Sequence, residues 1–410
     1  MNFILFEDSQ FQNLLPLVYF RPVWELLCGV FTIEERINNY IDGNCFYLAR
    51  DYLQKNYLSE EKAFLNSPDD SSLFINGRWL LAEEDVRLIT ELSSGEALIY
   101  NNTLLAFRGI VSDVKEQLSE GIPDSEKIIN SMNCKEHKGR VVEYLWEIIE
   151  WNGDYLNEDL KFLGKGGQME GSVSKGVYLV AEENIYISKT AQVKPGVVID
   201  ASDGPVWIDE GVKIMPNATL QGPIYIGKNS LVKIGAKLYE NTTIGPVCKV
   251  GGEIEGSIIQ GYSNKQHDGF LGHAYLGSWI NIGADTNNSD LKNNYGKIQV
   301  FLNGNLMNTG KQFLGLIMGD HSKTAINTMF NTGTIVGVNC NVFGTGMPPK
   351  FIPSFSWGGA EKLVEYRLDK SMEVAKLVMS RRKVSFTDKE EKLFMEVKKL
   401  ANKVEKISLN

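Results

Sequence analysis

Residues 208–250 read IDEGVKIMPNATLQGPIYIGKNSLVKIGAKLYENTTIGPVCKV, and every sixth position is aliphatic. The column is Ile208, Ile214, Leu220, Ile226, Val232, Leu238, Ile244 and Val250. Four residues after each stands a small or aliphatic side chain: Val212, Ala218, Ile224, Ser230, Ala236, Thr242, Cys248 and Ile254. An α-helix repeats every ~3.6 residues and a strand every second residue, so neither accounts for a strict period of six. Three short strands closing one triangular coil do account for it. The stretch therefore predicts a hexapeptide-repeat parallel β-helix, with the aliphatic column inside the prism and the small column at its inner corners. The same phase starts earlier, at Ile187, Val193 and Ile199, and Asp200–Pro205 interrupts it as an inserted loop.

Composition limits what the rest can be. The 410 residues are 43% hydrophobic and 23% charged with 39 glycines, an ordinary soluble makeup with room for two or three domains. A net charge of −9 argues against nucleic acid or an anionic membrane as partner. No apolar run approaches the ~20 residues of a membrane span. Glu7 and Asp8 stand where a signal peptide would be basic. Cys28, Cys45, Cys134, Cys248 and Cys340 are scattered and form no CxxC pair, which points to reduced thiols and a cytoplasmic location.

Upstream of residue 165 the hexad is absent. Short apolar runs at Phe3–Phe6, Phe46–Leu48, Leu73–Ile75 and Ala97–Tyr100 read as strands, and 85–92 and 141–149 read as helices. That alternation predicts an α/β layer with a largely parallel sheet. Thr32 and Glu35 have capping-box spacing and predict a helix start. Between strand and helix lies 14–33, an apolar segment with one fixed cation, Arg21, beside Pro22. A guanidinium fork there suits phosphate; pairing with Glu25 or Asp8 is the plainer alternative. The glycine/serine-rich 165–176 reads as a boundary between the two patterns.

Leu15-Pro16-Leu17, Arg21-Pro22 and Gly29 resemble the N-terminal signature of sugar nucleotidyltransferases. The branch in question is related to the bifunctional N-acetylglucosamine-phosphate uridyltransferase/acetyltransferase family. The resemblance implies a Rossmann-like nucleotidyltransferase domain that binds or makes a nucleotide-sugar, with an NTP as possible substrate. Mg²⁺ is implied if that domain is active. The family's glycine-rich phosphate loop is replaced by Glu7-Asp8-Ser9-Gln10-Phe11-Gln12-Asn13. Its metal-binding aspartate after a glycine is replaced by Arg78, and no metal ligand is assigned.

Past Val250 the chain carries its chemistry-bearing residue types. Ser263, His267, Leu271-Gly272-His273-Ala274 and Asn281-Ile282-Gly283-Ala284-Asp285-Thr286 resemble, without a gap, the acetyltransferase motif of the same family. Carried over, His267 is the general base that deprotonates a sugar amine attacking acetyl-CoA or another acyl-CoA. Asn281 contacts the sugar, and Ala284 lies where backbone touches the acyl-CoA. Phe270 and Asp290 take the places of a tyrosine and an asparagine that hold the sugar phosphate and the base. Read without the resemblance, a lone loop histidine is more often structural or merely exposed, and His267 and His273 match no strong zinc spacing.

His321 after Ile317-Met-Gly-Asp reads as a coil residue or an acyl-CoA neighbour, and the prolines of 347–353 as the end of the solenoid. Leu368, Met372, Ala375 and Met379 share one helical face. Thr387 with Glu390 caps a second helix carrying Leu393, Val397 and Leu400. Arg381-Arg382-Lys383 between them either complements the helix dipole or meets acyl-CoA phosphates.

The expected architecture is a nucleotidyltransferase-like α/β domain (1–172), a β-helix (173–355) and C-terminal helices (356–410). The resemblance makes the β-helix left-handed and the assembly a homotrimer. The expected function is that of a bifunctional sugar-nucleotide transferase acting on a sugar phosphate or nucleotide-sugar. A nucleotidyltransferase with a structural β-helix, and a catalytically silent scaffold, are the alternatives.

Overall fold

The computed structural model describes residues 2–68 and 71–405. The first unit is a six-stranded sheet. Strands β1 (Asn2–Phe6), β2 (Asn44–Leu48), β3 (Ser71–Asn76), β4 (Glu96–Tyr100), β5 (Thr103–Ile110) and β6 (Asn133–Glu136) lie in the order β6-β4-β5-β3-β1-β2. Pairings β1–β2, β1–β3 and β4–β6 are parallel. Only β5 runs against its neighbours β3 and β4. Its sequence, TLLAFRGI, follows β4 across a two-residue Asn101-Asn102 turn with both residues at positive φ, the geometry of a tight hairpin.

Helix α1 (Ile33–Tyr40) starts at Thr32, whose hydroxyl accepts from Glu35 N (3.1 Å) while Glu35 accepts from Thr32 N (2.8 Å). The capping box is as the sequence predicts. Further helices of this unit include α2 (Asp51–Asn56), α3 (Glu83–Thr90) and α4 (Leu145–Leu163). The last begins four residues later than the apolar run suggests and extends to Gly164, a left-handed cap.

The solenoid comes next. All sixteen residues of the two sequence columns are fully or almost fully buried. Three parallel ladders form its faces. Face I runs through Val193, Ile214, Val232 and Val250. Face II runs through Ile199, Leu220, Leu238, Ile254 and Leu271. Face III has nine strands and runs through Ile187, Ile208, Ile226, Ile244, Ile259, Leu276, Met318, Val336 and Ile352. Ile254 thus belongs to the strand column rather than the small column. One coil is shorter than its predecessors, and the hexad phase slips there.

The glycine/serine stretch 165–176 follows the helix and forms the first coil: Gly167, Glu170, Ser172 and Ser174 donate backbone bonds to Ile185, Ile187, Ala191 and Val193 of the next coil. One sequence expectation is corrected here: the prolines of 347–353 do not end the prism. Phe351–Ile352 pairs with Ile335–Val336, and Ser356–Gly358 pairs with 341–342. These strands are two or three residues long, so prolines sit at the corners between them and interrupt no ladder.

Face III differs from the others because its outward column is also mostly apolar or aromatic: Tyr186, Trp207, Tyr225, Thr243, Ile258, Tyr275, Ile317, Ile335 and Phe351. A sheet apolar on both sides must be covered on both sides. The first unit provides the cover. Val30, Leu156 and Leu160 pack on Trp207 and Tyr225, while Ile258, Tyr275, Ile317 and Ile335 join the core of the α/β unit. Polar contacts fix the register. Tyr275 Oη accepts from Leu27 N (2.9 Å) and donates to Gln260 Oε1 (2.7 Å). Thr243 Oγ1 donates to Gly29 O (2.9 Å). Gly29 has φ +72, and a Cβ there would lie 2.3 Å from Asp159 Oδ2, so the position admits glycine alone.

Helices α5 (Leu368–Ser380) and α6 (Asp388–Glu405) close the molecule. The buried side of α6 is Leu393, Phe394, Val397, Ala401 and Val404. It ends on Glu405, which accepts from Tyr19 Oη (3.0 Å), Ser354 N (2.8 Å) and Ser354 Oγ (2.6 Å). The helix is thereby hydrogen-bonded to both the α/β unit and the solenoid.

Candidate functional site

In open α/β sheets the ligand crevice lies beyond the carboxyl ends of the strands. Here a cleft of about 780 Å³ occupies that place, and its lining includes Asp8, Gln10, Thr103, Glu120, Asp124 and Glu126. Among the described residues no lysine or arginine is part of its lining, while Lys127 and Lys403 pair with the lining carboxylates Asp124 (3.2 Å) and Glu120 (3.7 Å). Asp8 is fully engaged: Oδ1 accepts from Gln10 N (3.1 Å) and Arg78 Nε (2.9 Å), and Oδ2 from Asn76 Nδ2 (2.8 Å) and Arg78 Nη2 (2.5 Å). Glu7 is bound in the same way by Arg50 and by Val23 N (3.0 Å). Among the described residues no group of three His, Cys, Asp or Glu side chains could hold a metal ion. The residues beside β1 therefore do not fit Mg²⁺, because Arg78 already supplies the positive charge that Asp8 would otherwise seek in a metal.

Arg21 is buried and ion-paired with Asp320 of the solenoid, which also accepts from Ser278 N (2.8 Å). Glu25, close by, has its carboxyl pushed up to about 7 by burial. The guanidinium that the sequence offers to phosphate is neutralised inside the protein, across the seam between unit and solenoid.

The solenoid separates the remaining candidates onto different edges. His267 stands exposed at the corner between faces I and II, and among the described residues its ring makes no hydrogen bond. Ala284 lies on the same edge one coil on. Asn281 is on face I, where Asn264 Nδ2 reaches its Oδ1 (3.4 Å) and Arg382 Nη2 donates to Asn264 Oδ1 (2.8 Å). Phe270 and Asp290 instead lie toward the corner between faces II and III. A Cβ on Gly272 would meet Asp290 Oδ2 at 2.4 Å and the Phe270 ring at 2.5 Å. Asp290 pairs there with His273, Oδ2 to Nδ1 2.8 Å. The five residues aligned to one family site thus form two groups, with His267 in one and the His273–Asp290 pair in the other.

Sequence reasoning assigns His273 no role. Its one signal is that Asp290 is a carboxylate where the resemblance expects an amide. Lys265 carries no sequence signal as a site residue either. It occupies the inward column after Val250, almost fully buried, and its ammonium donates to Gly251 O (3.1 Å) and His267 O (2.7 Å). Burial holds it down at about 8.

Comparison with known proteins agrees with this architecture. Residues 3–168 match the family model described as sugar nucleotidyl transferase. A bifunctional sugar-1-phosphate nucleotidylyltransferase/acetyltransferase from Sulfurisphaera tokodaii is 28% identical over 226 residues, covering 52% of this chain and 49% of that protein. The bifunctional protein GlmU of a Synechococcus species is 22% identical over 306 residues, 72% of this chain and 60% of the relative. The chain thus spans about half to three-fifths of the length of these relatives. Among solved structures, a UDP-N-acetylglucosamine acyltransferase from Campylobacter jejuni covers 56% of this chain and 80% of its own at 14% identity, with a TM-score of 0.22. The chain thus joins a segment similar to the sugar nucleotidyl transferase family, residues 3–168, to a β-solenoid.

Proposed function

We propose that the chain is a bifunctional-type sugar-nucleotide transferase whose solenoid transfers an acyl group from acyl-CoA to a sugar phosphate or nucleotide-sugar. The observation that carries this reading is the exposed His267 imidazole on a solenoid edge, one coil from Ala284 and beside the Asn264–Asn281 pair. In the reaction the acceptor amine or hydroxyl attacks the thioester carbonyl, His267 takes its proton, and the proton passes to the departing CoA thiolate. Acyl moves from sulfur to nitrogen or oxygen, and free thiol is the second product.

The same edge supports a homotrimer. Ile234 and Ile326 stand on the His267 corner and are 64% and 67% exposed, with Phe343 beside them at 37%. Apolar side chains repeated along one edge favour burial against a neighbouring solenoid. The N-terminal cleft is the place for a nucleotide-sugar. Its acidic lining favours the sugar hydroxyls over the phosphates as the recognised part. No helix among the described residues is long and apolar enough to cross a membrane.

The test is free-thiol release from acetyl-CoA over a panel of amino-sugar phosphates and nucleotide-sugars. Turnover with at least one acceptor is expected, reduced about 10²–10⁴-fold in His267→Ala. Release with no acceptor, or an unchanged rate in the variant, sinks the assignment.

A further inference from the structure

The outward column of face I is polar where the C-terminal helices meet it. Lys249, Asn264, Asn281 and Lys323 stand one above another in neighbouring coils. Lys233 belongs to the coil before, where its N–H donates to Val250 O (2.8 Å). The turn between α5 and α6 lies over this column, and Arg382 Nη2 donates to Asn264 Oδ1 (2.8 Å). Two elements far apart in sequence thereby bring Lys233, Lys249, Arg381 and Arg382 together. Burial, and after it the charges of Arg382, Lys233 and Arg381, hold Lys249 below the ordinary lysine value.

These cations have no internal counter-charge. Among the described residues no carboxylate offsets the repulsion at Lys249, and none of the four is in an ion pair. Elsewhere the solenoid pairs its lysines across coils, Lys228 with Glu210 (3.4 Å) and Lys237 with Glu253 (3.5 Å). In a chain of net charge −9, a cluster without one carboxylate stands out. The C-terminus of α5 attracts Arg381 and Arg382 through its dipole, but it does not account for the two lysines on the solenoid. Asn264 spends its oxygen on Arg382, and its Nδ2 reaches Asn281 Oδ1 (3.4 Å), which leaves the exposed Asn281 with its Nδ2 donors outward. A guanidinium fork, two ammonium point charges and an amide donor suit an anion with several acceptor oxygens, which is the chemistry of phosphate. Asn264 lies three residues before His267, at most about 11 Å of chain away. At the other corner Phe270 and Asp290 offer phosphate no side-chain donor.

We infer that face I beneath the α5–α6 turn binds a phosphate group of the substrate carried to the His267 edge. Arg382, Lys249 and Asn281 donate to its oxygens, and Lys233 and Arg381 add charge. The acyl-transfer reading identifies the two possible sources, the acyl-CoA donor and a phosphorylated acceptor; the site itself does not depend on that reading.

The test is calorimetric titration of the full chain with pyrophosphate, then with CoA and glucosamine 1-phosphate, each beside its phosphate-free counterpart, pantetheine or glucosamine. Binding needs no turnover, so a failure of thiol release leaves this result intact. Pyrophosphate is expected to bind, about tenfold weaker in Arg382→Gln and several-fold weaker in Lys249→Gln. Lys213→Gln removes an equal charge from the same column two coils earlier and should change nothing. All three positions are at least partly exposed, and glutamine keeps a hydrogen-bonding side chain there. Whichever of CoA and glucosamine 1-phosphate outbinds its counterpart and loses that advantage in Arg382→Gln is the source of the phosphate. No pyrophosphate binding at millimolar concentration, full affinity in Arg382→Gln, or an equal loss in Lys213→Gln would overturn the proposal. So would equal affinity of both substrates and their phosphate-free counterparts.

Discussion

Lys265 and Arg21 are both cations taken out of water, and the groups around each decide whether its charge is compensated. Lys265 replaces an aliphatic in the face I column. Its stem is compatible with the prism interior, and its ammonium donates to two carbonyls, while burial outweighs the carboxylates of Asp268, Asp285 and Glu253. The folded state therefore disfavours the charge, at about 8 against the ordinary 10.5. Between these two pH values the unfolded chain binds a proton that the folded chain has released, so stability rises as pH increases through that window. Lys323, also held down at about 8 by burial, adds to the rise. Lys265→Met should remove about half of it, measured as the urea midpoint from pH 8 upward. An unchanged slope would mean that Lys265 is solvated. Arg21 is the contrasting case. It has Asp320 as partner, and removing either alone would leave a buried charge unpaired.

At the scale of elements, the coil explains both the legible and the illegible parts of the sequence. Ser230, Ser257, Ser263, Ser322 and Ser354 each accept from a backbone N–H at an inner corner, at 2.9–3.1 Å. Small residues at the inner corners are thus partly a hydrogen-bonding requirement, since a buried N–H must be satisfied. The face III strands carry a second demand, because their outward side chains dock the α/β unit. Tyr275→Phe tests that docking. Its hydroxyl serves Leu27 N, and losing it should cost about 1–3 kcal/mol in denaturant unfolding. No change in midpoint would show that Gln260, 3.3 Å from Leu27 N, suffices.

At the scale of the whole molecule, three regions distant in sequence meet around His321. Phe20 from the α/β unit, Trp279 from the solenoid and Phe394 from α6 surround its ring at 5.5, 6.1 and 5.1 Å. Burial holds His321 well below the ordinary value of 6.5, so it is neutral in the folded protein. Below about pH 6.5 the unfolded chain takes up a proton that the folded one refuses, and stability falls with acidification. His321→Phe should remove that part of the acid loss, read as the difference in urea midpoint between variant and wild type from about pH 7 to about pH 5. Equal slopes in both would show that the ring is accessible to water.

The sequence by itself determined the solenoid, because a coil is a local object. Its period, its inner columns and its corner residues recur within eighteen residues. The capping box at Thr32 and four strands of the first sheet were legible for the same reason, although β5, close behind β4 across a two-residue turn, and β6, whose NCKE sequence is barely apolar, were not. What only the tertiary structure decided was pairing over long separations. Arg21 meets a carboxylate 299 residues away and Arg78 meets Asp8 across 70. Six residues, one face of the coil, put His267 and His273 at successive corners, and a coil of seventeen residues brings Asp290 beneath His273. A one-dimensional repeat fixes which residues point inward. It does not fix which corner a residue reaches once coils of unequal length have been wound.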